Sequence, residues 1–371
     1  MTKFRFHVLG VPHTKTNPDY NACAYTQKAW KFCKMMGSRG HECIHYGVEG
    51  SCPPNAEEVD VVSDEIYQKV YGSHPYRERY FKFDIDDECY KTFYINAINE
   101  INERKQPNDF LLPFWGNGVR AICDAIPDII TVEPGIGYTG AWAEYRAYES
   151  YAIMHAEHGT ADAEYCNPQW YWRVIPNYFD LDEFSYNPDF ESRLKDPYFL
   201  FLGRVSDAKG LNIALQTCER IGAKLVVAGQ LSDEYAYFKW PDFVEFVGYA
   251  DIQKRAELMR NAVALFIAST YLEPFGGAQV ETLLSGTPTI TTDWGAFSEN
   301  NIEGVTGYRC NTFADFVSAA KNCLAGKIRP EDCRRQGEKF SLENIAPKYE
   351  KFFQDIMNIY TGNGWYQLPQ E

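Results

Sequence analysis

No apolar run in this chain approaches the roughly 20 residues a bilayer crossing needs, and the longest, at residues 262–268, is far shorter. The opening MTKFRFHVLG lacks an extended apolar stretch and a small-residue cleavage site, so it reads as a strand and not as a secretory leader. Eleven cysteines are scattered with no C-x-x-C spacing, which argues against a disulfide framework and for the reduced, buried thiols of a soluble cytoplasmic protein. Seven histidines show no H-E-x-x-H or similar spacing, so no metal site is expected. Positive charge is in deficit: 36 Lys and Arg against 51 Asp and Glu leave a net charge of −15. Such a surface repels a phosphate backbone, which makes nucleic acid a disfavoured partner. Internal repeats and low-complexity linkers are missing too.

What is present is enough apolar material, 45% of 371 residues, for two packed cores. In the C-terminal half, strand-like runs at residues 198–203, 224–229, 244–249, 263–269 and 288–292 alternate with helical patterns at 211–220, 252–261 and 278–285. Leu211, Ala214, Leu215 and Cys218 mark one helical face. Alternation of this kind predicts a parallel sheet with right-handed crossovers.

The N-terminal half repeats the theme less cleanly. Strands are predicted at residues 4–9, 41–46, 110–114 and 129–132, and helices at 22–36, 88–105 and 141–155. Residues 51–87, rich in charge, Pro and Tyr, read as an insertion or irregular surface region. The fold expected is therefore α/β: two doubly wound, Rossmann-like domains, residues 1–175 and 176–345, facing across a cleft. A closing helix and tail, 346–371, are expected to pack back on the N-terminal domain. Ligands of such sheets sit at the carboxyl ends of strands, which singles out the loops after Leu9, Phe114, Val132, Leu202, Ala228, Val247, Ala268 and Thr292.

Two of these loops carry chemistry. After FLFLG come Arg204 and, five residues on, Lys209 at a helix start, a pairing suited to a diphosphate or simply a solvated pair of cations. The segment EPFGGAQVETLLSGTPTI is more specific: Glu273 precedes Phe275, Gly276 and Gly277, and Glu281 lies one helical turn beyond Gly277. Carboxylates accept hydrogen bonds from sugar and ribose hydroxyls, while glycine backbone N–H groups and cations take anionic oxygens.

These residues resemble glycosyltransferase family four, the retaining nucleotide-sugar transferases of the GT-B fold. The likeness runs through Gly203, Arg204, Lys209 and Gly210, V-V-A-G-Q ending at Gln230, F-V-G-Y ending at Tyr249, E-P-F-G followed by Glu281, Gly286 with Pro288, and V-I-P-N-Y-F-D ending at Asp180. The resemblance implies that Arg204 and Lys209 hold the diphosphate and stabilise the leaving nucleotide, and that Glu273 and the backbone at Phe275, Gly276 and Gly277 grip the donor sugar. Glu281 would bind the ribose and Tyr249 would lie near the base. It implies transfer of a hexose from a UDP- or GDP-sugar co-substrate to a hydroxyl acceptor, a glycan by default, with neither metal nor other cofactor. Relatives also include viral and phage-type members that glucosylate modified DNA bases; the rival readings are the nucleotide-sugar 2-epimerases, which use the same two-domain architecture, and a nucleotide-sugar-binding relative that has lost catalysis.

The N-terminal half departs from the family pattern. Its first loop, GVPHTKTNP, has one glycine, so Gly10, His13, Thr14 and Lys15 are cleft candidates or surface residues. Glu133 stands where many relatives have a histidine, and is expected to contact donor or acceptor in its stead. The aromatics Trp115, Tyr138, Trp142, Tyr145, Tyr148 and Tyr151 read as core or interface ahead of an acceptor platform.

Overall fold

Runs such as YFLFL at Tyr198–Leu202 and ALFI at Ala264–Ile267 are apolar on both sides, which only a strand covered by helices on both faces can bury. The computed structural model, which describes residues 2–160 and 169–362, packs them that way in two parallel sheets. The first contains β1 (Arg5–Leu9), β2 (Glu42–Val48), β3 (Glu57–Val62), β4 (Phe110–Pro113), β5 (Ile130–Ile136), β6 (Tyr145–Tyr148) and β7 (Arg173–Val174). Its strand order is β3-β2-β1-β4-β5-β6-β7. The second contains β8 (Tyr198–Leu202), β9 (Lys224–Ala228), β10 (Val244–Gly248), β11 (Ala264–Ile267), β12 (Thr289–Thr292) and β13 (Gly307–Cys310). Its order is β10-β9-β8-β11-β12-β13. Each sheet reverses its winding between its first strand and the next inner one, β1 to β4 and β8 to β11, and loops part at such switch points to leave a crevice. This is the expected α/β, GT-B arrangement.

Two expectations fail for physical reasons. Residues 51–87 are not simply irregular: they hold β3 and the helix Asp64–Tyr71. The strand EEVDVV is an edge strand on the sheet, where Val59, Val61 and Val62 are buried while Glu57 and Asp60 stay wet. Its charges disguised it. Nor are residues 141–155 one helix. Tyr145–Tyr148 forms β6 beside β5, and a helix follows only at Tyr151–Thr160. Aromatics spaced three or four apart imitated a helical face, but here they fill both faces of a buried strand.

The last helix, Leu342–Thr361, starts beside the second sheet and ends on the first. Phe179 and Ser341 bridge at its root. Its Ile345, Ala346, Tyr349, Phe352, Phe353 and Ile356 then join Phe4, Phe6, Val8, Phe32 and Phe110 in one N-terminal core. The tail expected beyond residue 362 lies outside the described residues.

Candidate functional site

The carboxyl ends of β1, β8, β9 and β11 converge on a cavity of about 370 Å³ between the domains. That is the low end of the range in which small-molecule sites fall. Its C-terminal wall carries Gly203, Arg204, Lys209, Tyr249, Glu273, Gly276, Gly277 and Glu281, all foreseen from sequence. Phe275 does not line it. Its ring is buried against Phe179 and Phe340, and Asn300 Nδ2 holds its carbonyl at 3.0 Å, so it anchors the loop from below.

Local geometry explains why glycine recurs here. Gly276 has φ +80°, and a Cβ there would sit 2.6 Å from the Phe297 ring. It turns the chain into the helix Gly277–Leu284 with no side-chain cap, so the first backbone N–H groups of that helix remain without an intrahelical partner at the cleft. A Cβ on Gly277 would meet nothing closer than Phe179 at 3.8 Å, so its backbone is approachable from the cavity. Gly229 has φ +146° and its absent Cβ would lie 1.7 Å from the Gly203 carbonyl oxygen, so the ends of β8 and β9 nest directly together.

Among the side chains, Lys209 Nζ donates to Glu273 Oε2 at 2.9 Å and Oε1 at 3.2 Å, and also meets the Tyr271 hydroxyl. Glu273 is 8% exposed and further accepts from Ser269 Oγ and the Tyr271 hydroxyl, both at 2.8 Å. That network fixes the position of a buried carboxylate beside the Lys209 ammonium. Glu281 pairs with Arg255, a cavity residue that sequence reasoning missed. Arg204 differs. It is exposed, and among the described residues it forms no ion pair. Its guanidinium lies instead over the Tyr80 ring, Cζ 3.6 Å from the centroid.

The N-terminal wall is aromatic, with Tyr25, Tyr80, Phe83 and Trp115, the last two packed on His13. His13 Nδ1 is 2.8 Å from the Tyr90 hydroxyl, and its ring stacks on Phe83 at 5.1 Å. Burial lowers its pKa to about 3, so it is neutral at working pH. Two lysines on this wall were also missed. Lys28 is bound to Glu149 and the Gly135 carbonyl, and Lys31 meets Glu183 at 2.8 Å. With Lys34 they sit three apart on helix Ala24–Ser38, and that spacing is the signal that would have found them.

Four N-terminal candidates leave the cleft. Gly10 packs on β2, where a Cβ would lie 2.9 Å from both His45 Nε2 and the Tyr46 carbonyl. Lys15 pairs with Asp64 at 2.6 Å, and the Thr14 hydroxyl meets that of Thr26. Glu133 is fully buried: its carboxylate accepts from the backbone N–H of Trp142 (2.7 Å) and Ala143 (2.8 Å) and from the Tyr138 hydroxyl (2.8 Å). The expectation that Glu133 replaces a ligand-contacting histidine is therefore corrected: it ties the loop after β5 to itself. Glu133→Ala should strand three donors and cost at least about 2 kcal/mol of stability. Denaturation measures that cost. If nucleotide affinity fell more than stability, Glu133 would belong to the site after all.

Direct bonds fix the two walls together. Ser150 Oγ donates to the Pro274 carbonyl at 2.6 Å, and Glu299 accepts from the Tyr151 and Ala152 N–H groups at 3.0 and 2.8 Å. The geometry thus gathers basic side chains, carboxylates and an open helix start around one cavity.

Known proteins share this fold and part of this sequence. Residues 183–340 match the family model described as glycosyl transferases group 1. Glycogen synthase of Mycobacterium tuberculosis is 31% identical over 138 residues, covering 34% of this chain, and the chain spans only 33% of that relative's length. A glycosyltransferase of Methanocaldococcus jannaschii is 26% identical over 311 residues, 69% of this chain and 78% of the relative. The crystal structure of Anabaena HepE in complex with UDP and glucose superposes with a TM-score of 0.68 at 13% identity, over 95% of this chain and 99% of that one. The chain therefore has the GT-B fold, and its C-terminal half is similar in sequence to the glycosyl transferases of group 1.

Proposed function

We propose that the protein is a retaining glycosyltransferase of family four, moving a hexose from a UDP- or GDP-sugar to a hydroxyl acceptor such as a glycan. One observation carries the reading: Arg204, the Lys209–Glu273 pair, Glu281 and the uncapped helix start at Gly277 surround a single interdomain cavity. The cations and the N–H groups suit a diphosphate, and the carboxylates suit the hydroxyls of sugar and ribose. Glu281 would exchange its Arg255 partner for ribose.

In the proposed reaction the bond between the sugar's anomeric carbon and the β-phosphate oxygen breaks as the acceptor oxygen bonds to the same face of that carbon. The acceptor's proton passes to the departing phosphate, leaving a nucleoside diphosphate and a new glycoside. Arg204 and Lys209 stabilise the charge that grows on the leaving group, so the proposal calls on no metal. No described side chain is assigned as a separate base, and neutral His13 is suited to hydrogen-bond an acceptor hydroxyl.

A thermal-shift panel of UDP-, GDP-, ADP- and dTDP-sugars in EDTA tests the reading. At a hundred times its dissociation constant a donor adds about 2.7 kcal/mol, a visible upward shift. One base class should give it. No shift from any of the four would remove the donor assignment.

A further inference from the structure

Residues 72–83 follow the helix Asp64–Tyr71 and leave the N-terminal sheet to cross the mouth of the cleft. They attach to the other domain through backbone. Leu231 N donates to the Glu78 carbonyl at 3.2 Å, Gln230 Nε2 donates to the Arg79 carbonyl at 3.3 Å and to that of Tyr76, and Arg79 bridges Leu231 in parallel. Gln230 and Leu231 lie just beyond the end of β9, beside the cavity. The strap so anchored delivers Tyr80 to the face of Arg204.

From this arrangement we infer that Tyr80 is a positioning residue for the diphosphate. A guanidinium offers its N–H groups at the edge of its plane and its face to aromatic rings. The ring of Tyr80 takes the face of Arg204, leaving the edge to donate to phosphate oxygens. Arg204 needs such a partner because, among the described residues, no carboxylate pairs with it and its side chain is exposed. Tyr80 is itself 43% exposed although it lines the cavity, so core packing does not account for its place. The two residues come from opposite domains, and the contact exists only when the strap is seated on β9. Tyr80 therefore joins seating of the strap to readiness of the phosphate site.

This inference rests on the donor reading above, and calorimetric titration with UDP, GDP and the matching monophosphates and nucleosides separates the two. Tyr80→Leu should weaken nucleoside diphosphate binding by about 3- to 30-fold, the span of a cation–π contact. Binding of the nucleoside, which has no phosphate for Arg204, should change by less than 2-fold. Tyr80→Phe, which keeps the ring, should restore most of the loss. In an Arg204→Ala background Tyr80→Leu should add nothing. If wild type binds no nucleoside diphosphate, the donor reading and this inference both fall. If wild type binds and Tyr80→Leu binds equally well, or loses nucleoside and diphosphate alike, only the role of Tyr80 is overturned.

Discussion

Lys209→Ala should lower turnover of the donor by about 10²- to 10³-fold, equivalent to roughly 2.7–4 kcal/mol of transition-state stabilisation. Lys209 lies in the turn between β8 and the helix Leu211–Ile221 and is held there by Glu273 and Tyr271. Its ammonium is therefore already placed when a substrate arrives, and little reorganisation remains to be made. Charge on the leaving phosphate is larger in the transition state than in the bound donor, so the loss should fall mainly on kcat and less on KM. Release of nucleoside diphosphate, with a sugar acceptor or with water in its place, gives the rate. Glu273 is nearly buried and loses its cation in the variant, so some stability is lost as well. Lys209→Arg distinguishes the two effects: it keeps Glu273 paired, but its planar fork replaces a compact point charge and should recover only part of the rate. A change in kcat below 5-fold in the alanine variant would exclude Lys209 from the reaction.

Much of the C-terminal wall was legible because its signals are local. Glycines with positive φ, a carboxylate just beyond a strand and a cation at a helix start each leave a mark within a few residues. Gly276, Glu273 and Lys209 were readable on that basis. Glu133 misled because position in the chain resembles position in space only when the local turn is known. The loop after β5 folds the carboxylate back onto Trp142 and Ala143, away from the cavity. Tyr80 was invisible for the opposite reason. Its place depends on a long-range attachment between the strap and Leu231, and nothing in the strap's composition announces that contact. The edge strand β3 and the buried strand β6 show the same limit at the level of the fold, since their faces are decided by neighbours distant in sequence. His13 is intermediate: its loop was readable, but its neutrality comes from the aromatic shell assembled around it.

Phe353→Ala should cost about 3–5 kcal/mol, the range for truncating a large ring in a packed core. Phe353 lies on the last helix, yet its ring meets Phe6 at 4.7 Å and Phe110 at 4.9 Å, both on strands of the first sheet, with Phe4 and Phe32 within 6.2 Å. Residues more than two hundred positions apart thus close one core, and the N-terminal domain is incomplete until the chain has finished folding. The substitution should therefore loosen the N-terminal domain first, while the donor-side wall, built from β8 to β13 and the helix Gly277–Leu284, keeps its own core. Urea unfolding followed by hydrogen exchange measures both parts: protection should fall in β1 and β4 well before β8 and β11. Nucleoside diphosphate affinity would suffer chiefly through the wall that carries the strap and Tyr80. Equal loss of protection in both sheets would show instead that the domains unfold as one unit, with the bonds from Ser150 to Pro274 and from Glu299 to Tyr151 and Ala152 strong enough to couple them.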